Sequence, residues 1–79
     1  MTGNELIEDI RRKAINFTRQ YNLDPNLLIL SNNNYLTLKV TLHWMRSDCY
    51  QEYVEQKKFH GMNIVINDSC TLPRIGLIT

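Results

Sequence analysis

A chain of 79 residues forms one domain that buries only about 60% of its unfolded surface, which excludes a large catalytic cleft. Nine lysines and arginines against eight aspartates and glutamates give a net charge of +1, which excludes both the strong basic excess of a typical nucleic-acid binder and the acidic surface of a DNA mimic. A hydrophobic fraction of 43% indicates a folded core.

The cysteine content points to a reducing compartment. Cys49 and Cys70 are the only two cysteines, whereas a secreted scaffold of this size usually carries four or more. Residues 1–5 (MTGNE) lead straight into an acidic amphipathic segment, and no apolar run approaches the roughly 18 residues of a membrane span. We therefore expect a cytoplasmic protein with free thiols and no membrane contact.

The first predicted element is a helix over residues 4–21. Thr2 and Glu5 form the T-x-x-E pattern of a capping box. Asn22 can serve as the C-terminal cap, and Pro25 prevents the helix from continuing. The apolar residues recur every three or four positions, as on one helical stripe, and they are Leu6, Ile10, Ala14, Phe17 and Tyr21.

Residues 27–45 allow two structures. The apolar run at 27–30 predicts a buried strand, and strict apolar–polar alternation over 36–44 favours a second strand that pairs with residues 27–31 in a hairpin. In the alternative, Asn32 or Asn33 caps a helix that continues from Tyr35. The alternating apolar residues, which fall on two faces of a helical wheel, are Leu36, Leu38, Val40, Leu42 and Trp44.

The second half of the chain predicts one more helix and one more hairpin. Ser47 is typical of an N-cap for a helix over residues 48–58. Alternation over 62–67 and the apolar residues of 74–78 predict two strands that pair with each other. The predicted fold is a single α+β domain over residues 1–79, with a small antiparallel sheet of two hairpins packed on the N-terminal amphipathic helix.

The sequence predicts no catalytic, cofactor-binding or metal site. The possible metal ligands are separated by six, eleven and ten positions, whereas structural zinc ligands come in close pairs. A nucleophilic Cys49 at a helix N-terminus is the one enzymatic possibility, and the three glycines supply no phosphate-binding loop. The possible ligands are His43, Cys49, His60 and Cys70.

Two kinds of macromolecular partner remain. Residues 11–13 (RRK) and 57–58 (KK), the latter beside Phe59 and His60, are basic clusters of the kind that contact single-stranded nucleic acid. Aromatic residues and methionine instead favour a protein interface, unless they simply fill the small core. The residues predicted for that interface are Trp44, Met45, Tyr50, Tyr53 and Phe59.

Several segments resemble small proteins encoded by phages and prophages of low-GC bacteria. These segments are residues 25–31 (PNLLILS), 35–36, 59–66 (FHGMNIVI) and 72–78 (LPRIGLI). They also resemble, distantly, part of the tailed-phage capsid and encapsulin fold, although the chain is several times too short for a capsid protein. The resemblance implies a helix after Ser31, against the alternation that favours a strand.

We therefore expect a non-enzymatic protein-binding module, in the role of a phage or prophage accessory protein that forms homo-oligomers or binds a host or virion protein. A small nucleic-acid-binding regulator is the alternative, and an enzyme that uses Cys49 is a third. No cofactor is expected.

Overall fold

The computed structural model describes residues 2–78, and Met1 and Thr79 of the predicted domain lie outside the described residues. This part of the chain forms three helices and a four-stranded sheet, which confirms the α+β class and the N-terminal helix. The elements are α1 (Gly3–Tyr21), β1 (Leu27–Leu30), α2 (Asn32–Trp44), α3 (Tyr50–Gln56), β2 (Lys58–Phe59), β3 (Met62–Ile66) and β4 (Arg74–Gly76).

Helix α1 begins and ends with the predicted caps. The Thr2 hydroxyl accepts a hydrogen bond from the Glu5 amide at 3.2 Å, and the Glu5 carboxylate accepts one from the Thr2 amide at 3.0 Å. The bond from the Thr2 amide holds the pKa of the Glu5 carboxyl below its usual value. At the other end, Asn22 adopts a left-handed conformation with φ of 55°. These local signals explain why sequence pattern alone located α1.

The sheet is mixed and has the strand order β2-β3-β1-β4. Strand β1 pairs in parallel with β3 and antiparallel with β4, so the predicted hairpin of 62–67 with 74–78 is wrong. Both segments pair with β1 instead, on its opposite sides, because the most apolar strand takes a central position. The hairpin that does form joins β2 and β3 through His60 and Gly61, which have φ of 50° and 79°.

The predicted strand over 36–44 is also wrong, and with it the hairpin of 27–31 with 35–44. This segment is helix α2, capped by the Ser31 hydroxyl, which accepts a hydrogen bond from the Asn34 amide at 3.1 Å. Leu38 and Leu42, one turn apart, are buried in the core. The other alternating apolar residues lie on the solvent side, and they are Leu36, Val40 and Trp44. Two apolar faces, each with a period of four, therefore produced the apparent period of two.

The core lies between the three helices and one face of the sheet. Helix α3 is shorter than the predicted 48–58, and the Ser47 hydroxyl accepts a hydrogen bond from the Cys49 amide in the turn before it. Tyr53 of α3 is fully buried, and its hydroxyl donates to the Tyr35 carbonyl at 2.8 Å. The buried core residues around it are Ile10, Leu28, Leu30, Leu38, Leu42, Phe59, Met62 and Ile64.

Asn26 fastens the segment after β4 to the start of β1. Its side-chain oxygen accepts a hydrogen bond from the Ile78 amide at 2.6 Å, and its side-chain nitrogen donates to the Ile78 carbonyl at 3.1 Å. The Asn26 carbonyl accepts from the Asn63 amide at 2.8 Å. The Asn26 side chain thus makes two hydrogen bonds with the Ile78 backbone, as a neighbouring strand would, beyond the end of the β1–β4 pairing.

We expect Asn26→Ala to lower the free energy of unfolding by about 1–2 kcal/mol, since two hydrogen bonds are lost at an exposed site. Urea denaturation measures the change, and hydrogen exchange of the Ile78 amide should accelerate in the variant. Asn67→Ala is a matched control, because the Asn67 side chain accepts only a local bond from the Ser69 amide. Equal protection of the Ile78 amide in wild type and Asn26→Ala would contradict this role.

Candidate protein-interaction surface

The solvent side of α2 carries a continuous row of large apolar side chains. Leu36, Val40 and Trp44 are spaced by one helical turn, and we call them the α2 stripe. Their exposed fractions are 46%, 54% and 79%, respectively. Single exposed apolar residues are common on protein surfaces, but three in register on one helix face form a contiguous apolar patch, which makes this face a candidate interaction surface.

The α2 stripe continues into the chain that follows the helix. Met45 is 57% exposed, and Tyr50 at the start of α3 is half-buried. The His43 and Tyr50 rings lie 5.1 Å apart between centroids. Together with the stripe and Lys39, they line a shallow groove of about 340 Å³. The surface therefore combines an apolar centre with a few polar groups at its border, which is the usual anatomy of a protein interface.

The structure divides the five residues predicted for the interface. Trp44 and Met45 are exposed, and Tyr50 borders the same surface. Tyr53 and Phe59 are 0% and 2% exposed and pack edge to face in the core with ring centroids 6.0 Å apart. Because both side chains are buried in this fold, they are not available to a partner.

Sequence reasoning missed Leu36 and Val40 as surface residues. Their signal was present in the spacing, because Leu36, Val40 and Trp44 repeat every four residues once the segment is taken as a helix. The strand hypothesis placed the alternating apolar residues on one face of a strand, so it did not separate Leu36 and Val40 from Leu38 and Leu42. Whether residues 36–44 form a helix or a strand therefore determines which of their side chains are exposed to a partner.

The predicted basic cluster at 11–13 is partly engaged within the fold. Lys13 contacts the Asp9 carboxylate at 2.8 Å and donates to the Pro73 carbonyl at 2.7 Å. Arg12 lies 3.5 Å from Asp9, and Arg11 lies 3.6 Å from Glu8. Lys13 thus ties α1 to the segment before β4, and these ion pairs reduce the positive charge that residues 11–13 offer to phosphate groups.

The cysteines and histidines are dispersed. Cys70 is buried, Cys49 is half-buried, and both are free thiols. Residues 2–78 contain no group of three or more histidine, cysteine or acidic side chains placed to hold a metal ion. Within the same described range, no helix has the length and apolar character to cross a membrane.

No protein-family model, curated protein or solved structure matches this chain. The surface geometry is therefore the basis on which its function is inferred.

Proposed function

We propose that this chain is a non-enzymatic protein-binding module that self-associates through the α2 stripe. The observation that carries the proposal is the exposure of Leu36, Val40 and Trp44 on one face of a helix whose opposite face is buried in the core. Full burial of a large apolar side chain is worth about 1.5–3 kcal/mol, so covering three of them supplies a substantial driving force.

A second copy of the chain suits this surface because the stripe is self-complementary. When two α2 helices pack antiparallel about a two-fold axis at Val40, Leu36 of each copy faces Trp44 of the other. An isologous contact of this kind closes a dimer.

The exposed area of the chain also favours a partner. The surface area is 5470 Å², whereas a monomeric protein of this length exposes roughly 5000 Å². A standard interface covers about 800 Å² on each partner, which is comparable to one helix face with its flanking residues. Association would cover apolar surface that the small core leaves exposed, and it would add stability that a short chain lacks.

In this proposal the chain acts as a cytoplasmic accessory protein of phage or prophage origin, and its dimer is the form that engages any further host or virion protein. The resemblance of residues 25–31 and 59–66 to small phage proteins is the support for that origin.

Val40→Glu tests the proposed dimer. We expect the wild-type chain to sediment as a dimer at micromolar concentration and the variant as a monomer, because two carboxylates would be buried against each other at the two-fold axis. Val40 is 54% exposed, so the fold should tolerate the change.

Val65→Glu is the matched control, since Val65 is 46% exposed on the outer face of the sheet. We expect it to remain dimeric. A wild-type chain that sediments as a monomer up to millimolar concentration would overturn self-association, and so would a dimer that survives Val40→Glu.

A further inference from the structure

A second concave surface lies along the middle and C-terminal part of α1. It is a groove of about 760 Å³ between α1, the loop that precedes β1 and the β2–β3 turn. Buried Ile10 and Met62 form its floor together with Ala14, while Ile15 forms part of its wall and is 43% exposed. The volume lies within the range of about 300–1,000 Å³ that is typical of ligand sites. No residue of this groove belongs to the α2 stripe.

The border of the groove carries more positive than negative charge. Arg11 and Arg19 line it from α1, eight residues and therefore about 12 Å apart along the helix axis. Arg11 has a distant ion pair with Glu8 at 3.6 Å, in which both side chains are about two-thirds exposed. Such a pair is worth little and is readily exchanged for another carboxylate. Within residues 2–78, Arg19 forms no salt bridge, and Asp24 is the one carboxylate that lines the groove.

The far side of the groove is fixed by a tight turn. His60 and Gly61 both have positive φ, which is the geometry of a two-residue hairpin turn. The His60 ring packs on Phe59 with centroids 4.2 Å apart, and Phe59 is anchored in the core. The β2–β3 turn therefore contributes His60 to the groove lining, and an imidazole N–H can donate to an acceptor there.

We infer that this groove binds an acidic amphipathic helix of another protein. The apolar floor matches a stripe of aliphatic side chains, and the two arginines match carboxylates placed two turns apart on the helix that binds. The charge complementarity is local, because the chain as a whole carries a formal net charge of only +1. Arginine–carboxylate contacts at the border would set the register, and burial of Ile15 would contribute affinity.

An acidic peptide fits this groove better than a nucleic acid does. Phosphate groups would satisfy Arg11 and Arg19, but they would leave the apolar floor of Ile10, Ala14 and Met62 without a matching surface. Single-strand binders place aromatic rings where bases stack, and among the described lining residues only His60 has an aromatic ring.

The inference is tested with a capped synthetic helix of about 18 residues that has a leucine stripe flanked by glutamates two turns apart. Its binding to the full chain is measured by fluorescence anisotropy at two salt concentrations. A peptide with glutamine in place of every glutamate is the ligand control. We expect the glutamate peptide to bind about tenfold more tightly, with a difference that shrinks as salt increases.

The double variant Arg11→Gln/Arg19→Gln should weaken binding of the glutamate peptide by about tenfold or more. Arg46→Gln/Arg74→Gln is the matched control, because both arginines are exposed and lie outside the groove. We expect that control to change affinity by less than about twofold. Perturbed amide resonances of Ile15 and Gly61 on titration would place the peptide in the groove.

Three results would overturn the inference. These are equal affinity for the two peptides, equal loss in the two double variants, and displacement of the peptide by oligothymidylate at comparable concentration. The last would assign the groove to nucleic acid. Val40→Glu should bind the peptide with the same affinity as the wild type. Peptide binding and dimerisation are therefore tested separately, and either proposal can be wrong without the other.

Discussion

Replacing Tyr53 by alanine is expected to remove about 3–5 kcal/mol from the free energy of unfolding, which is most of the stability of so small a domain. Tyr53 is fully buried, stacks on Tyr35 with centroids 5.0 Å apart and meets Phe59 edge to face. Its removal would leave a cavity where α2, α3 and β2 meet. Urea denaturation followed by circular dichroism measures the loss.

Tyr53→Phe separates the ring from its hydroxyl. This variant keeps the ring packing but loses the 2.8 Å hydrogen bond to the Tyr35 carbonyl, so we expect a loss of only about 1 kcal/mol. Equal stability of the alanine and phenylalanine variants would show that the ring packing contributes nothing, contrary to the geometry of this cluster.

The same hydroxyl makes stability depend on alkaline pH. Burial raises the pKa of Tyr53 well above its ordinary value of 10.0, and the nearby Tyr35 adds to the rise. Below pH 10 both the folded and the unfolded chain keep the proton. Above it the unfolded chain loses the proton while the folded chain retains it, so the free energy of unfolding falls as pH rises. Tyr53→Phe should lose this part of the alkaline dependence.

Replacing Gly3 by alanine is expected to destabilise the protein by about 2–3 kcal/mol, although alanine is the better helix former. Gly3 lies where α1 meets α2, and a Cβ atom built on it would stand 2.5 Å from the Thr41 Cβ and closer still to the Thr41 hydroxyl oxygen. Since Thr41 Cβ is fixed to the backbone, the two helices would have to move apart. Thermal denaturation should show a fall of about 10–20 °C in Tm.

Gly76→Ala is the control for Gly3→Ala. A Cβ atom at Gly76 would lie 3.5 Å from Leu27 Cδ2, which is an ordinary contact, so we expect a change within about 1 kcal/mol. Adding Thr41→Gly to Gly3→Ala should recover part of the loss, because it removes the atoms that clash. A double variant no more stable than Gly3→Ala alone would contradict the close contact.

Local signals in the sequence were sufficient for α1 but not for α2. In α1 one apolar stripe, a capping box and a C-cap all agree, and tertiary structure did not change the outcome. In α2 the apolar residues lie on both the core side and the solvent side of the helix. The sequence therefore lacks the single apolar stripe that identifies an amphipathic helix. The strand hypothesis followed from local pattern, and the packing of Leu38 and Leu42 against the sheet outweighed it.

The strand partners could not be predicted from local pattern either. The run at Leu27–Leu30 is equally compatible with parallel and antiparallel neighbours, and its pairing with both β3 and β4 depends on contacts distant in sequence. The role of Asn26 and the close approach of Gly3 to Thr41 have no sequence pattern at all. The α2 stripe, by contrast, could have been predicted from the sequence. Its spacing is evident once residues 36–44 are taken as a helix and not as a strand.

Trp44 offers the most direct test of the α2 stripe, since it is the single tryptophan of the chain and is 79% exposed. Its fluorescence emission and its quenching by acrylamide are measured over a dilution series. Dimerisation through α2 predicts that emission shifts to shorter wavelength and quenching falls as concentration rises, with neither change in Val40→Glu. Emission and quenching that stay the same from the lowest to the highest concentration would contradict it.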